Sequence, residues 1–355
     1  MTVRLVLSDC SNFKVRYQDE ASLFENDVGR LALGAFLVLW FVGVPLVAGP
    51  YLLTLANLAG LAVIGATGLN LLTGYTGQIT IGHGAFMGVG AYAGAILGAR
   101  LHLPFWAAVP AAGLLTAGCG AVFGIPSLRL KGLYLAIATL AAQFILEYIF
   151  VHWDWLTRGT SGYVVPPAWL GPWRVAGERA FFWVISAAAV LTTVLSCNLL
   201  RTRVGRAFVA IRDNDRAAAA IGIPLFPYKL LAFSLSSFMV GVAGALYAYY
   251  LGVVVPDKFT LDLSIDYLAM GIVGGLGTVL GPIYGAVVIT VLPEVLRAGS
   301  QALSGVFPGI TNALIALREV VFGAVIIAFL LFEPEGLADR WRVVRAYFKT
   351  WPFAY

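Results

Sequence analysis

A few uncharged polar side chains standing inside apolar runs are the residues of this chain that could handle a polar molecule. Asn70, Thr73, Gln78, Thr80 and His83 interrupt one such run, and Gln143 and Glu147 stand four apart in another, on one face if that stretch is helical. Groups of this kind can hydrogen-bond a solute without holding it tightly, and they form no catalytic constellation. No Gly-Lys dipeptide occurs, so the phosphate-cradling P-loop is missing, and HExxH, GxSxG and CxxC are missing as well. His83, His102 and His152 lie far apart, and Cys10, Cys119 and Cys197 are scattered, which indicates neither a metal site nor a disulfide framework. An intramembrane enzyme is therefore disfavoured. Polar groups buried in lipid need partners, so Asn70, Thr73, Gln78, Thr80, His83 and Gln143 are candidates for the wall of a translocation path. The competing reading is that they satisfy the backbone of a broken helix, with His83 packed and hydrogen-bonded beside Gly84.

A second set of residues is charged. Arg201 to Ile223 reads RTRVGRAFVAIRDNDRAAAAIGI, and its first sixteen residues hold five arginines and two aspartates. At the centre of a bilayer five arginines would cost about 12 to 17 kcal/mol, so the segment lies in water. Ala207, Phe208, Ala210, Ile211 and Ala217 to Ile221 predict a short helix, stopped by Gly222 and Pro224. Such a helix, held outside the membrane by spans on either side, is suited to touching another protein. Attraction of its arginines to anionic lipid is the alternative.

The elements that must position these residues are membrane spans. The 355 residues are 60% hydrophobic and 12% charged, with a mean hydropathy of +0.87, which excludes an ordinary soluble domain. Continuous apolar runs mark nine candidate spans, at 31-49, 51-72, 79-100, 105-124, 133-151, 180-200, 230-252, 267-296 and 313-332. With the amino terminus inside, sixteen of the 23 Lys and Arg residues fall on the cytoplasmic side. The net charge of +5 thus reflects orientation and not nucleic-acid binding. The polar first thirty residues lack the apolar core of a signal peptide. The division is a cytoplasmic tail at 1-30, a transmembrane domain at 31-332 with the charged loop at 201-223, and a cytoplasmic tail at 333-355.

Nine spans cannot leave both termini cytoplasmic, so one region does not cross simply. Gly271, Gly274, Gly275, Gly277, Gly281, Pro282 and Gly285 single out 267-296 as two half-helices that enter and return. Gly277, Gly281 and Gly285 form a GxxxG ladder, matched by Gly90, Gly94 and Gly98 after the broken stretch Gly74 to Gly84. Glycine-broken segments in both halves point to an inverted repeat, with plain helix packing as the competing reading. The fold class is an all-α polytopic membrane protein of about 8 to 10 spans with broken or re-entrant segments. An outer loop at 152-179 carries Trp153, Trp155, Trp169 and Trp173 with Arg158, Arg174 and Arg179. It reads either as an interfacial belt or as a docking surface.

Residues 68-92 (GLNLLTGYTGQITIGHGAFMGVGAY), 132-139 (GLYLAIAT), 201-223, 271-286 (GIVGGLGTVLGPIYGA) and 332-337 (FEPEGL) together resemble the LivM-type permeases of branched-chain amino acid ABC transporters. Two departures are a longer amino-terminal extension and Glu333, where a basic residue is common. The resemblance implies a non-catalytic importer subunit of the bacterial cytoplasmic (inner) membrane, multi-pass with both termini cytoplasmic. Its partners would be a LivH-like permease, two cytoplasmic ATPases, an extracytoplasmic solute-binding protein and membrane lipid, with no cofactor. The segment 201-223 then matches the coupling loop that docks on the ATPase: Gly205 and Arg206 begin the motif, Ala210, Arg212 and Asn214 sit in its middle, and Gly222 ends it. Branched-chain amino acids are the expected solutes. Related systems take urea, short amides or aromatic acids, and a secondary transporter working alone, with Glu147 as its ion-coupling group, is the rival from another class.

Overall fold

A computed structural model describes residues 27-130, 132-171, 173-304, 320, 323-329, 331-333 and 335-350. Most of the expected amino-terminal tail and much of the expected span at 313-332 lie outside the described residues. Apart from two single-turn helices, Val44–Val47 and Asp154–Thr157, the helices are α1 (Asp27–Val38), α2 (Pro50–Leu69), α3 (His83–Arg100), α4 (Phe105–Ser127), α5 (Leu133–His152), α6 (Glu178–Arg201), α7 (Arg203–Asp213), α8 (Asp215–Ala220), α9 (Leu225–Leu251), α10 (Leu261–Gly274), α11 (Gly281–Ser304) and α12 (Leu337–Thr350). Among the described residues six stretches are long and apolar enough to cross a membrane: Pro50–Gly74, Phe105–Ser127, Leu133–His152, Glu178–Arg201, Leu225–Leu251 and Gly281–Ala298. The segment Leu31–Val47 is a shorter apolar helix, with a π turn at Leu39–Gly43, and is tied to α6 by the Trp40 indole N–H, which donates to Ser186.

Helix α9 is the centre of the bundle, packed on α4, α3 and α2. Lipid removes most of the hydrophobic drive between helices, so close backbone approach has to supply the attraction. The Gly90, Gly94 and Gly98 ladder does this on α3: a Cβ on Gly90 would collide with the backbone of Gly241, and one on Gly94 would lie 2.9 Å from the Ala245 methyl. Reciprocally, a Cβ on Gly244 of α9 would collide with the Met87 carbonyl. Gly281 and Gly285 of the second ladder serve a different joint, the hairpin of α10 and α11, where they lie against the backbone of Gly275 and Met270.

Two of the expected spans are broken. The span expected from residue 79 is helical only from His83, because 77-82 is irregular backbone. The region expected at 267-296 as two half-helices is asymmetric. Helix α10 starts earlier, at Leu261, and its 14 residues extend about 21 Å, whereas the second arm, Gly281–Ala298, is long and apolar enough for a full crossing. The reason is the placement of the glycines: they crowd the turn 274-281 and leave the run from Ala286 to Leu292 intact. Nothing in the described helices establishes an internal repeat. On the side where α3 ends, the chain adds two small antiparallel sheets, β1 (Tyr163–Val164) with β4 (Val253–Val254) and β2 (Ala168–Leu170) with β3 (Trp173–Val175).

The α3–α9 joint makes a direct prediction. Gly244→Val should destabilise the subunit in detergent by about 2 kcal/mol or more, since overpacking a close-packed site costs roughly 1 to 3 kcal/mol. Gly118→Ala, with nothing within 4 Å of the added atom, is the control. Equal thermal midpoints for the two variants would contradict the joint.

Candidate translocation and coupling site

The interior candidates all come to rest inside one chain. Asn70, Thr73, Gln78, Thr80, His83 and Gln143 are each no more than 8% exposed. Backbone that leaves the helix within a bilayer has no water to bond with, so protein groups must replace it. Around 77-82 they do: the Gln78 N–H donates to Leu72 O at 3.2 Å, the Ile81 N–H to Thr139 Oγ1 at 3.0 Å and the Gly82 N–H to Thr80 Oγ1 at 3.3 Å. Thr73 Oγ1 donates to Gln78 O at 3.0 Å, and the Gln78 amide donates to Thr76 Oγ1 at 3.0 Å.

Gln143, near the middle of α5, serves three chain segments. Its Oε1 accepts the Ala85 N–H at 2.7 Å and the Ser264 hydroxyl at 3.0 Å, and its Nε2 donates to Phe259 O at 2.8 Å. Ser264 Oγ in turn accepts the Gly84 N–H at 2.8 Å. The first turn of α3, whose N–H groups have no partner inside their own helix, therefore meets α10 at one amide, with α10 joined through the Ser264 hydroxyl. Glu147, half-buried one turn further along α5, takes no part in this cluster. His83 is packed and bonded: Ser236 donates its proton to Gly68 O at 2.6 Å, so His83 Nε2, 3.1 Å from Ser236 Oγ, must be the donor. The ring therefore carries a proton on Nε2, and its Nδ1 has no partner among the described residues.

The charged segment folds as two helices where the sequence predicts one. Thr202 caps α7, its Oγ1 accepting the N–H groups of Val204 and Gly205 at 3.2 and 3.5 Å. Gly205 sits against the backbone of Leu200, where no side chain fits. Ala207, Phe208 and Ile211 bury the inner face, and Arg206 is exposed on the other. The break is Asn214, whose N–H donates to Ala210 O at 3.1 Å. Its backbone turns extended, with φ −160 and ψ 105, and its Oδ1 accepts the N–H groups of Arg216 and Ala217, both at 3.1 Å. An Asn with free N–H groups ahead of it is worth more as a cap than as a helix interior residue, which is why one helix becomes two. Gly222 closes α8 at φ +89, with the Ile223 N–H reaching back to Ala218 O at 3.0 Å.

A cleft of about 500 Å³ separates and joins these two groups, lined by Thr76, Gly77 and Gln78 on one side and by Arg212, Asn214 and Lys229 on the other. Lys229 pairs with Asp215 at 3.7 Å. The structure thus brings Gln78 of the path set beside Arg212 and Asn214 of the coupling set, and leaves Gln143 and His83 apart, deeper in the bundle. Thr139, Ser236 and Ser264 were missed in the sequence because single hydroxyls in apolar runs carry no local signal; Thr202, just ahead of a helix, had the ordinary cap signature. Among the described residues no group of His, Cys, Asp or Glu converges to hold a metal. In the loop 152-179, Trp155 and Trp173 are 71% and 78% exposed, the Arg158 guanidinium lies over the Tyr163 ring, and Arg174 and Arg179 are open to solvent.

Gln143→Leu should destabilise the subunit by more than about 2 kcal/mol, because each buried group left without its partner costs roughly 1 to 3 kcal/mol. Thermal unfolding of the detergent-solubilised chain checks this, and a midpoint equal to wild type would show that the Gln143 bonds contribute nothing.

Residues 51–330 match the family described as branched-chain amino acid transport system / permease component. The chain is similar to the high-affinity branched-chain amino acid transport system permease protein LivM of Escherichia coli K12, 29% identical over 337 residues that cover 88% of this chain and 76% of the relative. It is also similar to LivH of the same transport system and organism, 23% identical over 297 residues, 78% of this chain and 90% of the relative. The autoinducer 2 import system permease protein LsrC of Salmonella paratyphi B is 27% identical over 255 residues, 68% of each chain. No solved structure matches. A family match over most of the length, on a chain of long apolar helices, places this protein among the multi-pass permease components of branched-chain amino acid transport systems, and it belongs to that family.

Proposed function

We propose that the chain is a non-catalytic permease subunit of an ATP-driven importer, moving branched-chain amino acids handed to it by an extracytoplasmic binding protein. A second permease and two cytoplasmic ATPases complete the assembly. The observation that carries this reading is the pair α7 and α8: an amphipathic helix with Phe208 fully buried and Arg206 exposed, closed by caps at Thr202, Asn214 and Gly222. A rigid element of this kind, inside a family of transport permeases, can pass the closing of an ATPase dimer to the spans it is packed on. Gly205, Arg206, Ala210, Arg212, Asn214 and Gly222 form the coupling set. Asn70, Thr73, Gln78, Thr80, His83 and Gln143 shape the path from within by holding its broken helices, and need not touch solute themselves. The amino acid class is supported by the similarity to LivM and LivH.

Both termini face the cytoplasm in this reading, with 1-30 and 333-355 as tails. The exposed Trp155, Trp173, Arg174 and Arg179 of the outer loop then face the binding protein, whose acidic rim they would complement.

Two measurements test the reading. In the reconstituted complex, Arg206→Ala or Gly205→Val should leave the subunit inserted and cut leucine-stimulated ATP hydrolysis by about tenfold; unchanged stimulation would remove the docking role. Stimulation by urea, a short amide or an aromatic acid in place of leucine would keep the permease and replace its solute. A reporter fused after Lys258 should read as extracytoplasmic, and a cytoplasmic signal there would reverse the orientation.

A further inference from the structure

The coupling helices and the interior of the bundle touch at one cluster, and it consists mostly of backbone. Helix α2 runs into a π turn, Asn70–Gly74, whose last carbonyls have no helical partner and carry the negative end of the helix dipole. Arg212, in the last turn of α7, donates from Nη1 to Gly74 O at 3.2 Å, while Nε bonds Asp213 at 3.0 Å. On the opposite side of Gly74, Asn70 grips the turn between α10 and α11. Its Oδ1 accepts the Gly277 N–H at 2.8 Å, and its Nδ2 donates to Thr278 O at 2.7 Å.

The three pieces are close enough to exclude any side chain between them. A Cβ on Gly74 would collide with Asn70 Oδ1 and the Gly277 nitrogen, and one on Gly277, at φ +75, would lie 2.8 Å from Arg212 Nη1 and 3.1 Å from Gly74 O. One guanidinium therefore rests on both glycine-broken segments at once, the one ahead of α3 and the one between α10 and α11. Thr278 stiffens the second, since its Oγ1 donates to Gly275 O at 2.9 Å and accepts the Gly281 N–H at 3.1 Å.

Resting on the permease reading above, we infer that Asn70 and Arg212 are positioning residues forming a clasp that transmits displacement of α7 to both broken crossings together. Arg212 acts on the Gly74 carbonyl, and Asn70 carries the movement from the α2 end to the turn at 277-278. Its two bonds, to the N–H of Gly277 and the carbonyl of Thr278, fix that turn in orientation as well as distance. Because the contact is to carbonyl and N–H groups, the movement reaches the backbone of the crossings directly, with no flexible side chain on the receiving side. A clasp of this kind makes each ATPase closure open or shut two segments in step, which separate links would not.

The test uses the whole complex in proteoliposomes and reads labelled leucine imported per ATP hydrolysed. Arg212→Gln and Asn70→Ala should each lower that ratio by about tenfold, with the double variant no worse than the poorer single one, and Arg212→Lys, which keeps a cationic donor, should recover most of the ratio. A ratio within twofold of wild type in both single variants, or losses that multiply in the double variant, would overturn the clasp. A purely structural role would lower uptake and hydrolysis in proportion and leave the ratio unmoved. If Asn70→Ala fails to assemble, Asn70→Asp has the same size, keeps the acceptor for Gly277 and loses the donor to Thr278, and the same two outcomes decide. The wild-type control separates the two levels: import without nucleotide would sink the permease reading itself, whereas ATP-driven wild-type import with unmoved variants would sink only the clasp.

Discussion

A peptide group that leaves the helix inside hydrocarbon has no water to bond with, and the rest of this structure depends on how that constraint is met. The chain breaks a helix at 77-82, where the freed N–H and carbonyl groups are taken up by Thr139 of α5, by Thr73 and Thr80 nearby and by the Leu72 carbonyl. Gln143 is the extreme case, one amide holding Ala85, Ser264 and Phe259. Irregular backbone is tolerated at membrane depth only where protein encloses it, and here the enclosure comes from α5, α9 and α10. Asn70, Thr73, Gln78, Thr80, His83 and Gln143 thus each bond within the chain, which also keeps the broken segments in one geometry.

Small residues make the enclosure possible. Where α3 crosses α9, and where α10 folds back on α11, glycines let the backbones touch. Close contact gives the van der Waals attraction that lipid does not oppose, and it brings Ser236 and Ser264 within reach of His83 and Gly84. Packing and hydrogen bonding are therefore one device: a bulkier residue at Gly244 would widen the joint that delivers the serine to the histidine.

On the side of the charged segment the same logic links the interior to water. Helix α7 buries Phe208 and keeps its arginines outside. Asn214 and Gly222 hold its direction and that of α8. The tail contributes as well, since Glu333 pairs with Arg340 and Gly336 lies against the backbone of Gly275, next to the turn that Asn70 grips. Charge is concentrated where the broken helices emerge, and a force applied there meets backbone first.

The sequence alone determined the class of the protein, its family resemblance and the location of its charged segment, because composition and hydropathy act locally and add along the chain. It also marked both glycine-broken stretches and the polar residues near them. It could not show that Asn214 splits the charged segment in two, since capping and helix continuation differ there by about 1 kcal/mol and the packing of Phe208 and Ala218 decides. Nor could it show that Gln143 meets Ser264 and Phe259, or Asn70 the turn at 277-278, because these partners are more than a hundred residues apart. Only tertiary structure decides which orphaned backbone groups lie opposite which side chains, and in a membrane that pairing is obligatory.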